Sequence, residues 1–254
     1  MRGLGAAVTL LTRVPVGTAD WDRRDLGRSV KWMPPVGGVI GLVVAIAYAA
    51  LGSLMPATIA SALAVTLGVL LTGALHEDGL ADTVDAFGGG STRDEKMRII
   101  KDPRHGTYGV LALVLSVVVR VTALASLRPG LALALLPAVH ALSRAGAIGL
   151  MAALSPAKGE GLGAAHSDPG LRPQVLVGAL LALGVGWITL GWWVAPFAVL
   201  AAASAALIAL LARKNISGYT GDVLGAAQQV GEILLLVLGA SLASSGLIET
   251  MWWR

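Results

Sequence analysis

Three aspartates at helical spacing form the most distinctive chemical pattern of this sequence. Asp78, Asp82 and Asp85 follow one another at i, i+4 and i+7, so a helix places all three on one face. Like charges on one face repel each other unless a cation lies between them, and carboxylate oxygens suit Mg²⁺. The pattern predicts a metal site; the alternative is a solvated helix end whose carboxylates lie near its N-terminus.

Two basic residues follow in a turn. Lys101 and Arg104 belong to the segment 101–109, in which a proline and two glycines shape the backbone. Lysine and arginine side chains bind phosphate oxygens, arginine often in a bidentate manner. The segment is therefore a candidate phosphate clamp, although a simple turn carrying the basic residues typical of cytoplasmic loops explains it equally well.

Polar residues also enter two otherwise hydrophobic segments. Asp222, Gly225, Gln229 and Glu232 recur at helical spacing in one of them. Arg144 lies in the other, roughly 15 Å from its cytoplasmic end at the helical rise per residue. A cation inside a membrane is costly and is normally paired. We expect a structural pair between Arg144 and Glu232, with Asp222 joining the other carboxylates.

The composition shows which elements must position these residues. Of the 254 residues, 56% are hydrophobic and 13% are charged, whereas a soluble domain is about 45–50% apolar and about 25% charged. The mean hydropathy is +0.76. The absence of cysteine excludes a disulfide scaffold. The sequence predicts an all-α, polytopic helical membrane protein.

Hydrophobic segments long enough for a membrane helix recur along the chain. We predict about seven spans, with six to eight as the range, in a single domain over residues 1–254. The short segment Gly3–Leu11 is predicted to be interfacial or partly inserted. The predicted spans are 36–54, 57–75, 107–127, 131–153, 174–191, 195–212 and 223–248.

The distribution of charge predicts the orientation. With the N-terminus in the cytoplasm, 15 of the 19 lysines and arginines lie in cytoplasmic segments, and only Arg128 and Arg254 lie on the other face. This predicts a multi-pass protein of the bacterial inner membrane. The scattered basic residues form no stripe for nucleic acid. Because 13 of the 15 acids share the basic side, which topology does not require, the loops 76–106, 155–172 and 213–222 are predicted to carry the site.

Carboxylates for Mg²⁺ and cations for phosphate on one membrane face suit phosphoryl or nucleotidyl transfer. At these residues the sequence resembles the cobalamin synthase family. The resemblance extends through most of the chain, with departures at Ala86, His105 and Ser217. The matching motifs are Leu11–Pro15, Pro35–Gly41, His76-x-Asp78-Gly79-Leu80-Ala81-Asp82, Lys101–Gly109, Ser143-Arg144, Gly161–Ala164 and Thr220–Ala226.

The resemblance implies the final assembly of the corrinoid nucleotide loop. In that reaction the 3′-hydroxyl of α-ribazole, or of its 5′-phosphate, attacks adenosylcobinamide-GDP, GMP leaves, and Mg²⁺ is required. It implies a metal site at Asp78, Asp82, Asp85 and Asp222, and a catalytic role for Asp82. His76 becomes the candidate for proton transfer or for orienting a carboxylate. The implied phosphate- and substrate-binding residues are Arg13, Lys101, Arg104, Arg144, Thr220 and Gly221.

Two other functions remain open. A lipid enzyme similar to the CDP-alcohol phosphotransferases also uses an aspartate cluster at a membrane face, but its motif needs Ala-Arg after Asp-Gly, where this chain has Leu80-Ala81. A secondary transporter places ionisable residues near the midplane, whereas most acids here lie at one face. A homo-oligomer, or an assembly with other enzymes of the pathway, is compatible with the sequence.

Overall fold

The computed structural model describes residues 2–16, 21–157 and 170–248. Within these ranges the regular structure is helical, apart from one isolated β-bridge between Pro156 and Tyr219, which confirms the predicted all-α class. Short 3₁₀ turns occur at Val30–Trp32 and Gly191–Trp193. The helices are α1 (Arg2–Leu11), α2 (Arg23–Ser29), α3 (Met33–Gly52), α4 (Ala57–Thr72), α5 (Leu75–Gly89), α6 (Arg93–Ile99), α7 (Thr107–Ala125), α8 (Pro129–Ala153), α9 (Leu171–Leu190), α10 (Val194–Ile216) and α11 (Gly221–Ser244).

Five helical stretches of the described chain are long and apolar enough to cross a membrane, and α4 with α5 forms a sixth if this bent pair is one span. One of the five is the 46-residue run Leu171–Ile216. A straight helix of that length measures about 70 Å, roughly twice the hydrocarbon thickness. The run instead divides at Gly191, which has a φ of 58°. Counting α9 and α10 separately gives six passes, or seven if the bent α4–α5 pair is one span, and both counts lie within the predicted range of six to eight.

Contacts with α8 show that α9 and α10 run in opposite directions. Along α9, Gly178 packs on Ile148 and Gly186 lies near Leu142, so the two helices are antiparallel. The chain then reverses, and Gly146 of α8 packs against Ala201 of α10. Helix α8 therefore forms the centre of the bundle, and most of its 25 residues are buried. A helix that is apolar on all sides is expected in such a central position.

The predicted ends of the spans are close to the observed ones, with one exception. The segment 57–75 was predicted as a continuous span, but α4 ends at Thr72 and the chain bends by 88° before α5. Gly73 and Ala74 both have left-handed φ values, of 64° and 59°. Glycine tolerates this conformation well and alanine less so, which shows that the bend is imposed by the surrounding packing.

The bend gives α5 its direction. Helix α4 ends inside the bundle, where Thr72 shares a small chamber with His140 and Glu232. Helix α5 then packs against α7 and α11, and its far end lies beside the start of α7. We call the end of the bundle formed by α1, α2, α6 and residues 100–106 the loop face. Helix α5 thus carries the aspartate motif from the interior to the loop face.

The N-terminal segment forms the ten-residue helix α1, which packs on α2 and α3. At about 15 Å it is too short to cross a membrane, which is consistent with the predicted interfacial or partly inserted segment. The motif Gly161–Ala164 and most of the loop 155–172 lie outside the described residues.

Candidate active site

Two glycines allow α5 and α11 to touch beside the acidic residues. A Cβ built at Gly79 would lie 2.6 Å from the carbonyl oxygen of Asp222, and one built at Gly225 would lie 3.3 Å from Gly79 Cα. Only glycine leaves room for so close an approach of two backbones. The Asp78-Gly79 pair on α5 and the Asp222-x-x-Gly225 pair on α11 therefore build a single contact.

Asp78 and Asp82 face His105 at the loop face. The Nε2 atom of His105 lies 3.9 Å from Asp78 Oδ1, and its Nδ1 atom lies 3.4 Å from Asp82 Oδ1. One ligand atom from each of the three residues lies within 4.8 Å of the others, so a single metal ion can reach all three. The side chain of Asp78 is 63% exposed and that of Asp82 is 15% exposed, so the cluster opens toward the outside.

In the sequence, His105 stands out only as a departure from the family pattern. The one available signal was its place beside Gly106, in a polar turn that leads into a helix. The turn lies 20 residues or more along the chain from Asp78 and Asp82. Their proximity therefore comes from the packing of α5 against α7, which spacing alone does not reveal.

Asp85 binds a different partner. Its Oδ2 atom accepts the N–H of Gly106 at 2.7 Å, and its Oδ1 atom accepts that of Gly109 at 2.8 Å. These donors belong to the first turn of α7, where backbone N–H groups have no partner within the helix. Asp85 is thus held at the start of α7, outside the cluster of Asp78, Asp82 and His105, and its role as a metal ligand stays a prediction. The side chain of Asp85, one helical turn beyond Asp82, caps the N-terminal start of α7.

A cavity of about 300 Å³ opens beside Asp78. Apolar side chains of α1, α3 and α8 line much of its wall, among them Leu11, Met33 and Ile148. Carboxylates on one side, a guanidinium on another and an apolar remainder suit a ligand with both anionic and apolar parts. The predicted site residues that it brings together are Asp78, Asp222, His76, Arg144 and Gly221.

Thr220 fixes the start of α11 and the orientation of Asp222. Its hydroxyl oxygen accepts the N–H of Val223 at 3.3 Å, as an N-cap residue does. The same hydroxyl donates to Asp222 Oδ2 at 3.1 Å. Thr220 therefore acts on the site through Asp222, and its neighbour Gly221 lines the cavity directly.

Arg144 does not pair with Glu232. It donates from Nη1 to the carbonyl oxygen of His140 at 3.0 Å, and no ion pair within the described ranges joins it to Glu232. Glu232 Oε1 instead lies 3.3 Å from Arg120 Nη1. The expected structural pair is therefore corrected to Arg120–Glu232, with His140 lying between Arg144 and Glu232. Arg120 and Arg144 both lie inside apolar helices, and the packing of these helices determines which of them pairs with Glu232.

Arg13 lies at the corner between α4 and α5. Its backbone N–H donates to the carbonyl oxygen of Leu71 at 2.8 Å, and its guanidinium packs on Gly73. The side chain is exposed. Leu10 and Leu11, just before it, line the cavity. The structure thus places the predicted phosphate-binding Arg13 next to the cavity, outside its lining.

Lys101 and Arg104 border a separate open cleft of about 730 Å³ on the loop face, together with Arg93 and Arg98. Arg104 is held by Asp102: its Nε and Nη2 atoms donate to the two carboxylate oxygens at 2.9 and 2.8 Å. These hydrogen bonds lower the pKa of Asp102 to about 2. The cleft gathers basic side chains, and Asp102 holds Arg104 through two of its three guanidinium nitrogens.

Long-range hydrogen bonds tie the loops of this face together. Arg93 donates to the carbonyl oxygens of Ile216 at 3.0 Å and Ala157 at 2.9 Å, and Lys96 donates to Asn215 at 2.6 Å. The predicted loops 76–106 and 213–222 therefore meet, together with residues 155–157. That these loops carry the site stays a prediction.

Known proteins with similar sequences bear on this site. Several relatives of this chain, here called the ribazoletransferase relatives, share the name "Adenosylcobinamide-GDP ribazoletransferase". The protein of that name from Rhizobium etli strain CIAT 652 is 40% identical over 241 residues, 91% of this chain and 93% of its own. Those from Bradyrhizobium diazoefficiens and Shewanella frigidimarina are 39% and 37% identical over 247 and 249 residues, each covering over nine-tenths of both chains. No solved structure matches the chain.

The family model "Cobalamin-5-phosphate synthase" matches residues 3–240. The match covers α1 to α10 and most of α11, so it includes the aspartate motif on α5, the turn at 101–109 and the Thr220–Ala226 motif. With a match of this extent, and relatives about 40% identical over nearly the whole chain, the chain belongs to the cobalamin-5-phosphate synthase family.

Proposed function

We propose that this protein joins adenosylcobinamide-GDP and α-ribazole, or α-ribazole 5′-phosphate, with release of GMP. The observation that carries the proposal is the cavity between α5 and α11, which has Asp78 and Asp222 in one wall and lies beside the Asp78, Asp82 and His105 cluster. The name shared by the ribazoletransferase relatives supports the same reaction.

The reaction is a displacement at phosphorus. The 3′-oxygen of the ribazole forms a bond to the corrinoid-side phosphorus, the bond from that phosphorus to the bridging oxygen breaks, and GMP departs with this oxygen. The hydroxyl proton is released. Negative charge develops on the leaving group, so cations placed around the diphosphate accelerate this class of reaction.

The donor set of the site fits a divalent cation. Asp78 and Asp82 offer hard oxygen ligands, and the Asp222 carboxylate belongs to the same cavity wall. We propose that these three carboxylates hold Mg²⁺, which when bound supplies charge stabilisation to the diphosphate. Asp82, the least exposed member of the cluster, is the proposed catalytic carboxylate.

The remaining roles follow from position. Lys101 and Arg104 in the open cleft and Arg13 at the α4–α5 corner are proposed to bind phosphate oxygens. His76 lines the cavity and is proposed to transfer a proton or to orient a carboxylate, while Arg144 in the same wall binds substrate. The apolar wall formed by α1, α3 and α8 is suited to the less polar parts of the substrates.

We also propose that the loop face lies in the cytoplasm of a bacterium, with the N-terminus on that side and the bundle in the inner membrane. The excess of lysine and arginine at this face supports this orientation. The chain contains no cysteine, so single cysteines at exposed positions such as Gly89 and Leu54 allow the two faces to be labelled separately. Labelling of position 54, but not 89, in intact cells by an impermeant reagent is expected.

The test of the activity uses the full-length protein in detergent with adenosylcobinamide-GDP, α-ribazole and Mg²⁺. Release of GMP with formation of the coupled corrinoid is expected, together with its loss on EDTA treatment and its return with added Mg²⁺. Absence of product with correctly folded protein would overturn the proposed function. Uptake of a corrinoid into protein-containing vesicles without GMP release would instead support the transporter alternative.

A further inference from the structure

A buried ion-pair network joins the two helices that carry the site carboxylates. Arg120 of α7 contacts an acid from each helix: its Nη2 atom lies 2.9 Å from Glu77 Oε1, and its Nη1 atom lies 3.3 Å from Glu232 Oε1. Glu77 directly precedes Asp78 on α5, and Glu232 lies ten residues after Asp222 on α11. One guanidinium thus connects the helix that carries Asp78 with the helix that carries Asp222.

Neighbouring amides reinforce this connection. Gln229 of α11 donates to Glu77 Oε1 at 2.8 Å, so α5 is bound to α11 directly as well as through Arg120. Gln228 donates to Glu232 Oε2 at 2.6 Å. The side chains of Arg120, Glu77 and Glu232 are 6%, 9% and 7% exposed. Charges this deeply buried are retained at a cost and commonly serve a role in function or specificity.

The network surrounds a chamber that has room for water. The chamber measures about 30 Å³, and its wall includes Arg120, Glu77 and Arg144. Buried atoms without a hydrogen-bonding partner include Glu77 Oε2, Arg120 Nε and Arg144 Nε. A polar cavity larger than about 10–15 Å³ can hold a water molecule, and such a water needs partners of this kind. Neither Lys101 nor His105 lines the chamber.

We infer that Arg120 is a positioning residue, which holds α5 against α11 through Glu77 and Glu232 and thereby sets the separation of Asp78 and Asp222. This inference rests on the proposed function for its activity readout. Arg120 lines the chamber and Asp78 lines the cavity, while Arg144 and His76 line both. The effect of Arg120 is therefore transmitted through the helix that carries the aspartates.

The competing explanation is that Arg120 only neutralises buried carboxylates so that the protein folds. Two variants separate these roles. Arg120→Met removes the cation that faces Glu77, whereas the double variant Glu77→Gln with Arg120→Met also removes the excess negative charge. If Arg120 positions α5, the double variant regains the unfolding temperature of the natural protein but keeps kcat for GMP release at least tenfold lower. Recovery of kcat to within threefold would overturn the inference.

A second measurement does not depend on activity. Spin labels on cysteines at Gly89 of α5 and Leu234 of α11, both exposed, report the distance between the two helices in a chain that has no other cysteine. The double variant is expected to broaden or shift this distance distribution, whereas Arg128→Met, an exposed arginine between α7 and α8, is expected to leave it unchanged. An unaltered distribution in the double variant would also overturn the inference.

The two proposals fail in different ways. If the natural protein releases no GMP, the proposed function fails, while the distance measurement still shows whether Arg120 holds α5 against α11. If the natural protein is active and the double variant behaves like it in both measurements, only the positioning role fails. Should Arg120→Met not fold, the charge-compensated double variant carries the comparison by itself.

Discussion

The backbone of Asp222 packs directly on Gly79. A Cβ at position 79 would lie 2.6 Å from the carbonyl oxygen of Asp222 and 3.0 Å from its Cα, both of them backbone atoms. Backbone atoms cannot move aside as a flexible side chain can. The close approach of the Asp78-bearing helix to the Asp222-bearing helix therefore requires the absence of a side chain at Gly79.

Gly79→Ala is expected to separate α5 from α11 and to lower kcat at least tenfold, because the carboxylates on the two helices no longer face one cavity. Overpacking of this kind commonly costs about 1–3 kcal/mol in stability. Gly184→Ala is the matched control, since a Cβ there meets no atom within 4 Å. Steady-state GMP release and thermal unfolding in detergent check both variants. Equal activity of the two would show that this contact does not control the site.

Asp82→Asn is expected to abolish turnover, with a loss of at least about a thousandfold, while the protein stays folded. The amide keeps the shape of the side chain but removes a charged oxygen ligand. Asp94→Asn is the control, since the Asp94 side chain is 98% exposed and lies outside the cluster. Binding of Mn²⁺, followed by its EPR signal, is expected to weaken only in the Asp82 variant. Near-normal turnover in that variant would refute the proposed metal site.

Asp85→Ala is expected to act mainly on stability. It removes two hydrogen bonds to the start of α7, one to Gly106 and one to Gly109. Loss of a helix cap costs about 0.5–2 kcal/mol, and loss of charge-assisted bonds lies toward the upper end. A lower unfolding temperature with unchanged Mn²⁺ affinity is the expected result. A loss of metal affinity without loss of stability would support Asp85 as a ligand.

His105→Phe tests whether the imidazole belongs to the metal site. The variant keeps a ring at this position but removes the nitrogen atoms that face Asp78 and Asp82. Imidazole nitrogen suits Zn²⁺, whereas Mg²⁺ prefers oxygen ligands. The variant is therefore expected to lose about tenfold or more in Zn²⁺ affinity while Mg²⁺ still activates it. Unchanged Zn²⁺ affinity would contradict this role.

The Asp102–Arg104 pair has a defined pH dependence. Hydrogen bonds from Arg104 lower the pKa of Asp102 from 3.8 to about 2, so the carboxylate stays charged and paired throughout the range in which the enzyme can be assayed. The stabilising contribution of the pair is complete above about pH 4 and is lost as the pH falls toward 2. In Arg104→Gln, the ¹³C shift of the Asp102 carboxyl is expected to titrate nearer 3.8. A carboxyl that titrates equally in both proteins would show that Arg104 does not hold it.

Helical periodicity was sufficient to predict the helix that carries the three aspartates. The spacing of Asp78, Asp82 and Asp85 correctly indicated a helix, because side chains four and seven residues apart lie on one face. The same spacing could not show that Asp85 reaches the start of α7, because the N–H donors of Gly106 and Gly109 come from another segment.

The amino-acid sequence by itself determined the all-α membrane class, the approximate span boundaries and the family, because these depend on hydrophobic length and on motifs that are local in the chain. Only the tertiary structure decided the partners: Arg120 with Glu77 and Glu232, and His105 with Asp78 and Asp82. It also decided the bend at Gly73-Ala74. Pairing between helices depends on their relative rotation and depth in the bundle, and neither quantity is encoded in the spacing along one helix.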